Sequence, residues 1–179
     1  MTELAQKQKK IGLGMASAAI ASAAYFALGY FLWPLPEVAA PALTVFGYAL
    51  AVAALPLIVD VMRLAQARFS DPELIDGDAP APGSRFDLDA RCLRNTTEQL
   101  LLFVCAQAGL AAALEPGTKH IALLYAAWFL FARAAFRIGY HRSPIARSFG
   151  FAATFYPTIG VYLALLAWIG YRAIQFASG

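Results

Sequence analysis

Long apolar runs constrain this chain more than any other feature. Stretches of about 20 residues, each long enough for a helix to cross a hydrocarbon core of about 30 Å, lie at 11–33, 41–63, 96–114, 120–140 and 149–171. With 60% hydrophobic and 14% charged residues, the chain is too apolar for a soluble domain of its length. The sequence therefore predicts an all-α integral membrane protein with five membrane helices.

The segment 68–90 has a different composition, because acidic residues there alternate with Pro and Gly. This composition is typical of a solvated loop. In the first span, Ala19, Ala23 and Ala27 recur at the spacing that allows close helix approach, so we expect that helix to pack against the others.

Basic residues are distributed unevenly along the chain. If the N-terminus is cytoplasmic, five crossings leave only Lys119 and Arg172 outside and place the other twelve Lys and Arg residues inside or at the inner boundary. Cytoplasmic ends of membrane helices carry such an excess. We therefore expect the N-terminus, the loop at 68–90 and the polar turn at 139–148 to be cytoplasmic. The basic residues flank apolar runs and form no stripe for phosphates, which argues against a nucleic-acid partner.

A polar stripe begins the third span. On a helix, Arg91, Asn95 and Glu98 fall at i, i+4 and i+7, and Arg94 lies beside them. A charged side chain at membrane depth costs at least about 2.5 kcal/mol, so such residues face a bundle interior or a wet cavity. The stripe therefore predicts a binding site.

A second interpretation of the stripe is structural. Asn95 and Glu98 also fit a capping box at the start of a membrane helix. Asp87 and Asp89 are better placed as helix caps, and they would put the whole stripe inside the helix.

Other intramembrane charges have structural explanations. Asp60 and Arg63 are three residues apart and could form an ion pair. Arg133 and Arg137 lie one turn apart, and we expect each to pair with Asp60 or Glu98 rather than to act in chemistry.

The cysteines and His141 do not predict a metal site. Cys92 and Cys105 match neither a disulfide framework nor a zinc spacing, so we expect two unpaired thiols. His141 could transfer protons near neutral pH, but a histidine at a membrane interface is more often a polar anchor.

The convergent polar residues suit an anionic thiol peptide. Arginine forks bind carboxylates bidentately, a carboxylate such as Glu98 binds an ammonium group, and the Asn95 amide both donates to and accepts from a peptide group. Glutathione has all three features. A neighbouring arginine could lower the pKa of its thiol and so activate it.

Several motifs together resemble the MAPEG family of membrane-associated proteins in eicosanoid and glutathione metabolism. They are Arg91-x-x-x-Asn95-x-x-Glu98, Phe131-Ala132-Arg133, Gly139-Tyr140-x-Arg142-Ser143 and Arg147-Ser148. The resemblance implies four helices per subunit, a homotrimer, and glutathione bound between adjacent subunits. The resemblance thus divides the chain into an additional N-terminal transmembrane helix at 1–40 and a four-helix membrane domain at 41–179, which contains the loop at 68–90.

The resemblance also implies a set of site residues. The expected glutathione contacts are Arg63, Arg91, Arg94, Asn95, Glu98, Tyr140, Arg142 and Ser148, and Arg147 is expected at the thiol. We assign thiolate stabilisation to Arg147 rather than Arg142, because Arg147 adjoins Ser148 at a predicted helix start, where free N–H groups and the helix dipole would add to its field.

Two functions fit this pattern better than a third, a scaffold without a ligand, which would leave the convergent arginines uncompensated unless Asp60, Glu98 and the acidic loop neutralise them. The first is a glutathione transferase or peroxidase that accepts an apolar electrophile or a lipid hydroperoxide from the bilayer. The second is a non-catalytic lipid-binding or accessory protein of the same fold. The chain departs from the family enzymes at three positions. Those enzymes often carry Tyr where this chain has Gln99 and Phe151, and Tyr or His where it has Phe136.

Overall fold

The chain forms a bundle of long helices, as seen in a computed structural model that describes residues 2–31, 40–143 and 145–178. The helices are α1 (Glu3–Phe31), α2 (Ala42–Ser70), α3 (Pro72–Ile75), α4 (Arg85–Ala113), α5 (His120–Arg142) and α6 (Ala146–Ser178). A 3-10 turn at Pro116–Thr118 joins α4 to α5. No β-strand occurs among the described residues, so the predicted all-α class is confirmed.

Within the described ranges, four helices, α1, α2, α5 and α6, are both long and apolar enough to cross a membrane. The protein is therefore an integral membrane protein, and α1 is the first of these apolar helices. Helix α4 is also 29 residues long, but it is less apolar, because it carries polar residues such as Thr96, Gln99 and Gln107. These three side chains are buried among the other helices. A fifth crossing by α4 stays a prediction.

The helix boundaries differ from the predicted ones around the acidic loop. Helix α2 continues to Ser70, and the short α3 follows, so the irregular segment is shorter than the predicted loop at 68–90. Helix α4 begins at Arg85, where Ser84 is the N-cap and its Oγ accepts from the Asp87 N–H at 3.2 Å. The capping-box interpretation of Asn95 and Glu98 is therefore wrong, and so are Asp87 and Asp89 as N-caps. The predicted end of the first span at Trp33 lies outside the described residues.

Helix α1 packs against α6 and α5, as expected, but through a different face from the predicted one. Its buried residues are Ala18, Ser22 and Gly29. Ala23 and Ala27 are exposed, so the predicted alanine stripe does not form the contact. A small residue still lies at each close approach: a Cβ at Gly29 would come within 2.9 Å of the Leu124 side chain.

Helices α5 and α6 approach each other closely where the connecting turn begins and ends. A Cβ added at Gly150 would overlap the backbone of Phe136, and one added at Gly139 would lie 2.5 Å from the Ala146 carbonyl oxygen. An aromatic core with Phe103, Tyr125 and Phe129 fills the bundle further along α4 and α5. The close contact fixes the start of α6 beside the end of α5, which positions the site described next.

Candidate functional site

A groove of about 550 Å³ lies where α1, α4, α5 and the start of α6 meet. Its lining combines cations, neutral polar groups and apolar side chains, and contains no carboxylate among the described residues. The lining residues are Lys7, Ile11, Met15, Arg91, Asn95, Phe136, Tyr140, Arg147, Ser148 and Phe151. A groove of this composition favours an anionic ligand that also has an apolar portion.

Arg91 enters the groove from the second turn of α4 and is held by Asp87. Its Nη2 lies 2.8 Å from Asp87 Oδ2, and its Nε donates to Asp87 Oδ1 at 3.0 Å. The Gly83 N–H also donates to this carboxylate at 2.7 Å. The Gly83 N–H and the Arg91 guanidinium hold the pKa of Asp87 below its usual value. Part of the Arg91 charge is therefore already compensated.

Asn95 lies one turn further along α4, and Arg133 orients its side chain. Its Oδ1 accepts from Arg133 Nη1 at 3.0 Å. With the oxygen occupied in this way, the Asn95 amide nitrogen is the group that remains to donate into the groove.

Arg147 and Tyr140 come from opposite sides of the turn between α5 and α6. The guanidinium carbon of Arg147 lies 4.9 Å from the centroid of the Tyr140 ring, a distance suited to a cation–π contact. Arg147 is half-buried and forms no ion pair with any residue that the structure describes. Its charge is therefore available for an anionic ligand.

The amides at the start of α6 are not free, contrary to our expectation. Ser143 Oγ accepts from the Ala146 N–H at 3.0 Å. The carbonyl oxygens of Ser143 and Ile145 accept from the N–H groups of Arg147 and Ser148 at 3.2 and 3.1 Å. The helix dipole remains, but these N–H groups add no donors for a thiolate. The Ser148 hydroxyl donates to Ile145 O at 2.7 Å, so towards a ligand it acts as an acceptor.

Four predicted site residues do not line this groove. Arg63, Arg94, Glu98 and Arg142 are all exposed. Arg63 instead lines a second, polar groove of about 730 Å³ between the end of α2, α3 and the start of α4. Within one chain, the structure therefore brings together Arg91, Asn95, Tyr140, Arg147 and Ser148, and separates them from the other four.

A partly buried charge network joins α2, α4 and α5, and its Asp89 lines the second groove. Arg137 forms ion pairs with Asp60 and with Asp89, the second at 2.5 Å. His141 Nε2 lies 2.9 Å from the same Asp89 oxygen. The expected pairing of Asp60 with Arg137 is confirmed. The Asp60–Arg63 pair is wrong, because Asp60 is only 2% exposed and faces the bundle, whereas Arg63 points outward.

Arg133 is buried without an acidic partner among the described residues. It is 1% exposed, and its Nη2 donates to Thr96 Oγ1 at 2.8 Å. Its guanidinium carbon lies 4.1 Å from the centroid of the Phe136 ring. The expected pairing of Arg133 with Asp60 or Glu98 is therefore wrong. Neutral oxygens and an aromatic ring surround this cation, and two of its neighbours, Asn95 and Phe136, line the groove.

Sequence reasoning missed the groove residues contributed by α1, which are Lys7, Ile11 and Met15. No spacing rule links that segment to the distant helices on which it packs. Phe136 and Phe151 were singled out as departures from a family pattern, and both line the groove.

Cys92 is buried and Cys105 is exposed, and both are unpaired, as expected. The described residues hold no cluster of metal ligands.

These features define an integral membrane helical bundle with a basic groove at one end. The sequence model of the MAPEG family matches residues 41–167, and the chain belongs to that family. The family includes glutathione transferases and synthases. The match extends from α2 to α6 and leaves α1 outside. Neither the curated proteins nor the solved structures gave a match to this chain.

Proposed function

We propose that the protein is a membrane-embedded, glutathione-dependent transferase or peroxidase that acts on apolar electrophiles or lipid hydroperoxides from the bilayer. The observation that carries the proposal is the convergence of Arg91, Asn95, Tyr140, Arg147 and Ser148 on one groove. Family membership supports it independently.

The residues of the groove fit glutathione in charge and in hydrogen bonding. Arg91 supplies a guanidinium for a carboxylate, and the Asn95 amide nitrogen supplies a donor for a peptide carbonyl. Phe136 and Phe151 supply apolar surface beside them. Bound glutathione would contribute a thiol that acts as nucleophile or reductant.

Arg147 is the residue we assign to thiol activation. A thiol with a pKa of about 8.5 is only about 3% ionised at pH 7, and lowering that pKa by about 2 units makes it about three-quarters thiolate. This shift corresponds to about 2.7 kcal/mol of differential interaction, a magnitude that one close cation can supply in a partly desolvated site. Arg147 is half-buried and has no acid beside it among the described residues, as this role requires.

The predicted glutathione contacts that do not line the groove suggest that a second subunit completes the site. Arg63, Arg94 and Glu98 are exposed, so a neighbouring subunit could meet them. We propose a homotrimer in which glutathione lies between adjacent subunits, with the N-terminus and the site on the cytoplasmic side. Native mass spectrometry in detergent tests the trimer.

The test of the function is glutathione binding and thiol ionisation in purified protein. Calorimetry gives the affinity, and ultraviolet absorbance reports the bound thiolate. Arg147→Ala should keep part of the binding but lose the thiolate absorbance near neutral pH, and turnover should fall. Arg142→Ala is the matched control, because Arg142 lies in the same turn but does not line the groove, and it should leave ionisation unchanged.

Two results would contradict the proposal. Wild-type protein that does not bind glutathione would refute it outright. An unchanged thiol pKa in Arg147→Ala would refute the mechanism and favour the non-catalytic, lipid-binding function.

A further inference from the structure

Helix α1 lies outside the family match yet forms one wall of the groove. Lys7, Ile11 and Met15 follow one another at i, i+4 and i+8, so they share a face of the helix. That face looks into the groove and presents one cation and two apolar side chains.

The contact that holds α1 at the groove is close. Ser148 Oγ lies 3.4 Å from the Ile11 carbonyl oxygen, and a Cβ added at Gly14 would overlap Ser148 Oγ. Met15 packs against a cluster that contains Trp128 and Ala152. A side chain at position 14 would force either the Ser148 hydroxyl or α1 itself to move.

The cations that line the groove differ in whether they are ion-paired. Three cations line it, and Arg91 already shares its charge with Asp87. Lys7 forms no ion pair within the described part of the chain. Two cations on different helices, Lys7 and Arg147, therefore line the groove without forming an ion pair with a described residue.

We propose that α1 is a wall of the ligand site and that Lys7 is a further binding residue, which contacts a carboxylate of the ligand. Ile11 and Met15 cover the apolar side of the same ligand. The identity of that ligand as glutathione rests on the proposed function, whereas the role of Lys7 as an anion contact does not.

The first experiment measures glutathione affinity in two matched pairs of variants. Lys7→Gln should weaken binding about tenfold, which is about 1.4 kcal/mol, and the effect should shrink at high salt. Lys10→Gln removes the same charge one turn away, outside the groove, and should have little effect. Gly14→Val should weaken binding by displacing α1 from Ser148, whereas Gly12→Val should not, because a Cβ at Gly12 has no neighbour within 4 Å. Equal affinities of Lys7→Gln and Lys10→Gln would overturn the proposal.

The second experiment does not depend on glutathione. In a Cys105→Ser background, Phe151→Cys places a thiol in the groove, and its rates of modification by an anionic and by a neutral thiosulfonate reagent are compared. Lys7→Gln should lower the anionic-to-neutral rate ratio about two- to fivefold, as expected for the loss of one nearby charge in water, and Lys10→Gln should not. A ratio unaffected by Lys7→Gln would overturn the role of Lys7 even if wild-type protein binds glutathione. A reduced ratio would support that role even if the protein does not bind glutathione.

Discussion

Replacement of Asp60 by Asn should destabilise the bundle strongly. Asp60 accepts from Arg137 and, at 2.8 Å, from Thr96 Oγ1. Removing one partner of a buried ion pair costs about 3 to 5 kcal/mol, because the other charge stays buried. Arg137 is 17% exposed and keeps Asp89 at 2.5 Å, so we expect the lower limit, about 3 kcal/mol.

Thermal unfolding in detergent, followed by circular dichroism, measures this loss. For a chain of this size each kcal/mol corresponds to about 2 to 4 °C, so the midpoint for Asp60→Asn should fall by about 6 to 12 °C. Asp87→Asn is the matched control: it makes the same chemical change in an ion pair whose Arg91 is 54% exposed, and it should cost much less.

A double-mutant cycle separates the ion pair from other effects of the substitution. Asp60→Asn combined with Arg137→Gln should cost less than the sum of the two single changes, because the pair is already lost in either one. An Asp60→Asn shift no larger than that of Asp87→Asn would refute the reasoning, since the buried network would then contribute no more than a surface pair.

Two further predictions concern packing and topology. Gly150→Ala should lower the free energy of unfolding by about 1 to 3 kcal/mol, because its Cβ would overlap the Phe136 backbone. Gly160→Ala should not lower it, because a Cβ there has no neighbour within 4 Å. Thermal unfolding of both variants checks this. If α4 crosses the membrane, reporters fused at Gly83 and at the C-terminus should lie on opposite sides, and reporters on the same side would show that it does not.

Local chemistry predicted most of the fold. Apolar length predicted the helices, because only a helix satisfies its own backbone hydrogen bonds in lipid. Of the two interpretations of the Arg91 to Glu98 stripe, the one that places it inside a helix is correct, since the stripe lies within α4. The N-cap was predicted wrongly, because Ser and Asp residues can all cap a helix and the sequence does not show which of them lies at the boundary. The cap is Ser84, which accepts from the Asp87 N–H, while Asp87 accepts from the Gly83 N–H.

The sequence by itself identified Asp60, Arg133 and Arg137 as side chains too costly to face lipid. It did not determine their partners. Asp60 pairs across 77 positions with Arg137 rather than with nearby Arg63, because the bundle interior excludes water and Arg63 points away from it.

The tertiary structure alone decided which residues share the groove. It placed Arg91, Asn95, Tyr140, Arg147 and Ser148 together and left Arg63 in another groove. It also placed Lys7 beside them, since Gly14 lets α1 approach Ser148 closely. Such contacts depend on how closely whole helices approach each other, and helix periodicity describes only the face of a single helix.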